Sequence, residues 1–181
     1  MSRYLPPAPS SCGAAAAQTV VAAPCVDGFD LDADAIAAAR RNAGEAGLAD
    51  RVAFTAADAS APTARGQFDL VTILEGLHDM SRPVDALRAA HRMLTGPGCV
   101  IVADELVQDE FTAPASIEEQ YHYGWSVVAC LPAVMGDPDT AATGAVMRPA
   151  TLRRYAAEAG FRDLEVLPVD AGMLRFYRLA P

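Results

Sequence analysis

Residues 26–60, VDGFDLDADAIAAARRNAGEAGLADRVAFTAADAS, decide the fold of this 181-residue chain. VDGFDL (26–31) reads as a short strand whose end is marked by Asp30 and Asp32. DADAIAAARRNAGEAG then reads as a helix, with Asp32 or Asp34 as N-cap and Gly47 as its stop. RVAFTA (51–56) is a second strand, ending at Ala57-Asp58-Ala59. A strand, a helix and a strand at this spacing make one unit of a parallel sheet.

The same alternation continues downstream. FDLVTIL (68–74) is a near-continuous apolar run, expected to be buried on both faces. A helix is expected from Pro83 to Leu94, with Val84, Leu87, His91 and Leu94 on one stripe, followed by a Gly96-Pro97-Gly98 turn and a strand CVIVAD (99–104). The pattern loosens from Val107 to Pro149, with a helix around Ile117 to Cys130. MRPATLRRYAAEAGF (147–161) reads as a helix with Leu152, Tyr155 and Ala156 on one face and Gly160 as C-cap. LEVLPV (164–169) and MLRFYRL (173–179), joined by Asp170-Ala171-Gly172, read as a hairpin. The expected class is α/β: a mostly parallel sheet ending in an antiparallel hairpin.

Upstream the chain differs in kind. The first 26 residues hold four Pro, three Ser and a single charge, Arg3, and every acidic residue lies at Asp27 or later. Residues 1–25 are therefore read as an irregular or degenerate segment and 26–181 as the folded domain, with residues 1–12 a tail or irregular cover because Pro6, Pro7 and Pro9 would interrupt a central strand.

Composition excludes several functions. Fourteen Lys+Arg against 23 Asp+Glu give a formal charge of -9, which repels a phosphate backbone or an anionic membrane surface, so neither nucleic acid nor membrane is an expected partner. All fourteen basic residues are Arg, so a P-loop or a pyridoxal Schiff base cannot be built. Cys12, Cys25, Cys99 and Cys130 show no metal-ligand spacing and read as reduced thiols of a cytoplasmic protein, with no metal expected.

In open α/β sheets, ligands bind beyond the carboxyl ends of the strands. Here those ends are acidic: Asp30, Asp58, Glu75 and the pair Asp104-Glu105. A carboxylate at a strand end can accept both hydroxyls of a ribose, and one like Asp58 can accept an adenine amino group, so the four together describe a nucleoside cleft. Any one of them alone would read as a helix cap or loop residue.

On these residues the chain resembles the class I S-adenosylmethionine-dependent methyltransferases. Residues 26–60 look like that family's second and third cofactor motifs, and FDLVTILEGLHDMSRPVDALRAAHRMLTGPGCVIVADE (68–105) looks like the fourth motif, the following helix and the fifth strand. The resemblance implies a Rossmann-like methyltransferase sheet and S-adenosylmethionine as cofactor. Asp30 would hold the ribose, Leu31 would pack on the adenine, Asp58 with Ala59 would meet its amino edge, and Glu75 would line the methionine portion. YGWSVVACLP (123–132) and residues 147–161 look closest to bacterial small-molecule methyltransferases that carry an extra N-terminal helical domain. The family's first motif, a strand followed by a DxGxGxG loop, has only PAPSSCGAAAAQTVVAA in its place, with Cys12-Gly13 as a remnant. The first strand is thus expected to be missing or degenerate, a pattern that a wrong start codon or a reading-frame shift in GC-rich coding DNA would produce.

For the transfer, His78 in EGLHDM is the expected base and Asp79 its orienting partner, against the reading of His78 as a loop residue that shapes the cleft. Tyr121, His122 and Trp125 are expected to line a substrate pocket, and His91 to be structural. The expected function is methyl transfer to oxygen or nitrogen of a small-molecule acceptor. The alternative is a catalytically silent or truncated domain of the same fold, and a nicotinamide enzyme is disfavoured because no GxGxxG follows a strand. A vacant central strand position predicts poor behaviour as a monomer and favours a homodimer.

Overall fold

The unit read from residues 26–60 forms as β2 (Cys25–Asp30), α1 (Ala33–Glu45) and β3 (Val52–Ala56), preceded by a short β1 (Ser2–Leu5). The computed structural model describes residues 2–5, 25–61 and 67–181. Asp32 caps α1 by accepting from the backbone N–H of Asp34 and Ala35 at 2.8 and 3.1 Å, which satisfies two of the donors that a helix start leaves open. Beyond the helix, Gly47 takes φ 66° and reverses the chain toward β3.

The second half adds β4 (Phe68–Leu74), α2 (Pro83–Met93), β5 (Leu94–Glu105), α3 (Ile117–Trp125), a π-helical turn (Ser126–Cys130), α4 (Leu131–Val134), α5 (Pro149–Ala159), β6 (Asp163–Val166) and β7 (Leu174–Ala180). All seven strands join one sheet in the order β3-β2-β1-β4-β5-β7-β6. β2 pairs with β3 and β4 with β5 in parallel, and β7 pairs antiparallel with both β5 and β6. The expected Rossmann-like sheet with its antiparallel hairpin is present.

Four expectations need correction. Residues 2–5, expected within a tail, are the central strand: β1 pairs antiparallel with both β2 (Ser2 opposite Gly28) and β4 (Ser2 opposite Thr72). This strand is the degenerate one, four residues long and ending before Pro6, because a proline could not donate to the ladder on either side. The turn Gly96-Pro97-Gly98 does not precede β5 but lies inside it, as an irregularity between the pairs Phe68–Leu94 and Leu70–Cys99. Gly98 is required there, since a Cβ would stand 2.9 Å from the Phe68 carbonyl oxygen. The helix around residue 117 does not end at Cys130 but runs through Val134. Cys25 is disulfide-bonded, not free, its other half lying outside the described residues, while Cys99 and Cys130 are free.

Burial is lopsided. The apolar core lies where α2 and α5 cover β4, β5 and β7, and holds Val71, Ile73, Leu87, Met93, Val100, Leu152 and Leu179. α2 buries Ala86, Leu87, Ala89, Ala90 and Met93, a face wider than the expected stripe, of which Leu87 and Leu94 are in the core, Val84 packs against it and His91 meets Phe161 edge-on at 4.9 Å. The alanines let α2 sit close to the sheet and to α5, and each buried leucine contributes about 1.5–3 kcal/mol. On the other half, α1 buries only Ile36 and Ala43. Among the described residues no helix is long and apolar enough to cross a membrane.

Candidate functional site

Because β1 runs against both β2 and β4, those two strands share a direction, and β2, β3, β4 and β5 all end on one edge of the sheet. Along that edge lies a cleft of about 590 Å³, within the range of ligand pockets. Asp30, Leu31, Asp58, Ala59 and Glu75, the expected cofactor residues, all line it, as does Asp79. Gly13 lies outside the described residues.

The carboxylates are held by their local turns. The Asp30 Oδ1 accepts from the Asp32 N–H at 2.9 Å, and the Asp30 carbonyl accepts from Ala57 N–H at 2.8 Å, which ties the ends of β2 and β3 together. Asp58 Oδ1 accepts from both the backbone N–H and the hydroxyl of Ser60, at 2.8 and 2.7 Å. These bonds, with the Arg82 guanidinium 3.9 Å from Oδ2, hold the Asp58 carboxyl below the usual range despite partial burial. Glu75 sits at φ 47°, a left-handed conformation uncommon outside glycine, and its N–H donates to Ala103 across the strand ends. Leu31 is 75% exposed, an apolar side chain on the rim with little protein packed on it.

His78 is only 4% exposed and sits behind the cleft wall rather than on it. Its Nδ1 lies 2.7 Å from Asp104 Oδ1 and its Nε2 lies 3.3 Å from Asp79 Oδ1. Asp79, expected as the orienting partner, is therefore the member of this chain on the cleft, and the buried Asp104 is the closer partner. Burial pushes the His78 imidazole toward neutrality, but hydrogen bonding and charge from Asp104, then the charges of Asp79 and Glu105, outweigh it and raise its pKa. The free thiol of Cys130 completes the group: burial and a hydrogen bond to Asp79 push it up to about 11.

Tyr121, His122 and Trp125 lie elsewhere. Tyr121 and Trp125 are exposed and meet edge to face at 6.2 Å, while His122 is buried with Nδ1 3.6 Å from Glu105 Oε2. None of the three lines the cleft; Ala133, Val134 and Asp137, farther along the same helical run, do. Glu119, one turn before His122, is buried and paired with Arg148 at 2.7 Å; Arg148 also bonds the Tyr123 hydroxyl and the Gln108 carbonyl. Sequence reasoning missed Ser81 and Arg82 on the cleft, although their place just ahead of Pro83 at the start of α2 marks a strand-to-helix turn. Nothing in the sequence singles out Asp137.

Comparison with known proteins bears on the family and the fold. A family model described as a methyltransferase domain matches residues 10–102. A ubiquinone/menaquinone biosynthesis C-methyltransferase, UbiE, of Roseobacter denitrificans is 31% identical over 114 residues, covering 62% of this chain and 44% of that protein. The mitomycin 7-O-methyltransferase MmcR superposes with TM-score 0.61 at 19% identity, covering 85% of this chain and 41% of that one. The [4+2]-cyclase SpnF superposes with TM-score 0.55 at 23% identity, covering 77% and 44%. The chain spans less than half the length of each of these three proteins.

Proposed function

Because the chain belongs to the methyltransferase-domain family, the class I S-adenosylmethionine-dependent methyltransferases, we propose that it transfers a methyl group to oxygen or nitrogen of a small-molecule acceptor. The observation that carries this reading is the convergence of Asp30, Asp58 and Glu75, from the ends of β2, β3 and β4, on one cleft. Bound S-adenosylmethionine supplies a methyl group already activated on sulfonium.

The residues fit the adenosyl half of that group. Asp30 and Asp58 each spend Oδ1 on a local turn, and among the described residues no hydrogen bond occupies their Oδ2 atoms, the Arg82 guanidinium standing 3.9 Å from that of Asp58. Asp30 Oδ2 would accept from ribose hydroxyls and Asp58 Oδ2 from an adenine amino group, with the Ala59 backbone alongside and Leu31 offering an apolar surface to the ring. Glu75 closes the far side toward the methionine end. On the acceptor side, Asp79 takes the acceptor proton at Oδ2, while Asp104 and His78 hold the Asp79 carboxylate from behind.

Isothermal titration with S-adenosylmethionine and with its demethylated product tests the reading. Micromolar binding is expected, weakened about 10-fold or more by Asp58→Ala, in line with the 1.5–3 kcal/mol of a hydrogen bond to a charged group. No measurable binding by the native chain refutes it.

A second reading, a domain of this fold that binds without transferring, is favoured by the reversed, four-residue β1 in the central position. The fold is compatible with other chemistry, as its likeness to a [4+2]-cyclase illustrates. Binding of S-adenosylmethionine with no methyl transfer to any of a panel of phenols and amines supports this second reading.

A further inference from the structure

His78, Asp79 and Cys130 bring an imidazole nitrogen, a carboxylate oxygen and a sulfur within 4.8 Å of one another. From this geometry we propose a binding site for a divalent transition-metal ion, zinc by preference, behind the wall of the cleft, ligated by His78 Nε2, Asp79 and Cys130 Sγ. It rests on these three side chains and does not depend on methyl transfer.

The donor set is the first support. Nitrogen, oxygen and sulfur together suit zinc, whereas magnesium and calcium take oxygen ligands. The spacing is the second. Nitrogen and oxygen ligands at about 2.0 Å from a tetrahedral ion stand about 3.3 Å apart, and His78 Nε2 lies 3.3 Å from Asp79 Oδ1. A sulfur at about 2.3 Å from the ion stands about 3.6 Å from either, against the 4.8 Å that bounds the cluster, so closing it asks a shift of about 1.2 Å at most, within reach of side-chain rotation.

The third support is independent of the ligands. A metal-bound histidine almost always donates its other ring N–H to a carboxylate or carbonyl, which fixes the tautomer and aims the free nitrogen at the ion. Here Asp104, 1% exposed, holds His78 Nδ1 at 2.7 Å and so presents Nε2 to Asp79 and Cys130. Binding releases protons to solvent: the Cys130 thiol proton and any proton on His78 Nε2 leave as the sulfur–metal and nitrogen–metal bonds form, while Nδ1 keeps its bond to Asp104. Asp79 is the one ligand of the three that also lines the cleft, so the carboxylate joins the ion to that wall. The ligands come from the loop after β4 and from the π-helical turn, so no cysteine spacing announces them.

Cobalt(II) titration of the full chain, followed by absorption and by competition with zinc, tests the site. One ion per chain with a thiolate-to-cobalt charge-transfer band, displaced by zinc, is expected. Cys130→Ser should abolish the band and weaken zinc binding at least 10-fold while keeping the native circular dichroism, and Cys99→Ser should change neither. His78→Gln should weaken zinc 10-fold or more, and Asp104→Asn 10- to 100-fold without removing the band. A native chain without the band, or a Cys130→Ser chain that keeps it, overturns the proposal. S-adenosylmethionine titration of the same samples reads the cleft separately, so failure of the metal site is distinguishable from failure of the methyltransferase reading.

Discussion

Asp58 keeps its carboxyl ionised because Ser60 donates to it twice, once from the backbone and once from the hydroxyl. A carboxyl with a lowered folded pKa contributes stability that is fully present above its unfolded value near 3.8 and is lost as pH falls through the folded value. Ser60→Ala removes one of the two bonds, so its thermal midpoint should lie below that of the native chain at neutral pH, and the gap should close as the solution is acidified below pH 4. A gap that persists undiminished in acid would assign the loss to packing instead. Asp58 was legible in the sequence because it follows a strand in a recurring pattern. The partner of His78 was not, because Asp104 lies in another strand and only the pairing of β4 with β5 brings the two together.

Among the elements, α2 and α1 differ in what holds them. α2 presents Leu87 and Met93 to the main core, fully buried, and Leu87→Ala should cost about 2–5 kcal/mol. α1 buries little, so its start depends on the cap: Asp32→Ala should cost about 1 kcal/mol. Chemical denaturation of both variants checks the ranking, and an Asp32 variant as damaged as the Leu87 variant would contradict it. Helix periodicity located both elements, while the full width of the buried face of α2 was not legible because α5, distant in sequence, covers Ala89 and Ala90 beside the expected stripe. The bulge in β5 escaped for a similar reason: a Gly-Pro-Gly run reads locally as a turn, and only the register against β4 keeps it within the strand.

At the scale of the whole molecule, β1 is the seam. It is the described connection between the pair β2–β3 and the four strands β4, β5, β7 and β6, and it rests on backbone hydrogen bonds to both neighbours. Arg3→Pro removes an N–H from the middle of this strand, opposite Asp27 and Val71, and should cost about 1–3 kcal/mol. By exposing two strand edges it should also raise the associated fraction seen by light scattering; a variant as stable and as dispersed as the native chain would show that β1 is dispensable. By itself the sequence determined the βαβ units, the terminal hairpin and the row of acids at the strand ends, since strand and helix periods and turn residues act over a few neighbours. Only the tertiary structure decided which strand fills the centre and in which direction. It also decided which carboxylate backs His78 and that Cys130 lies beside it, because such contacts arise from sheet order and helix packing between distant segments.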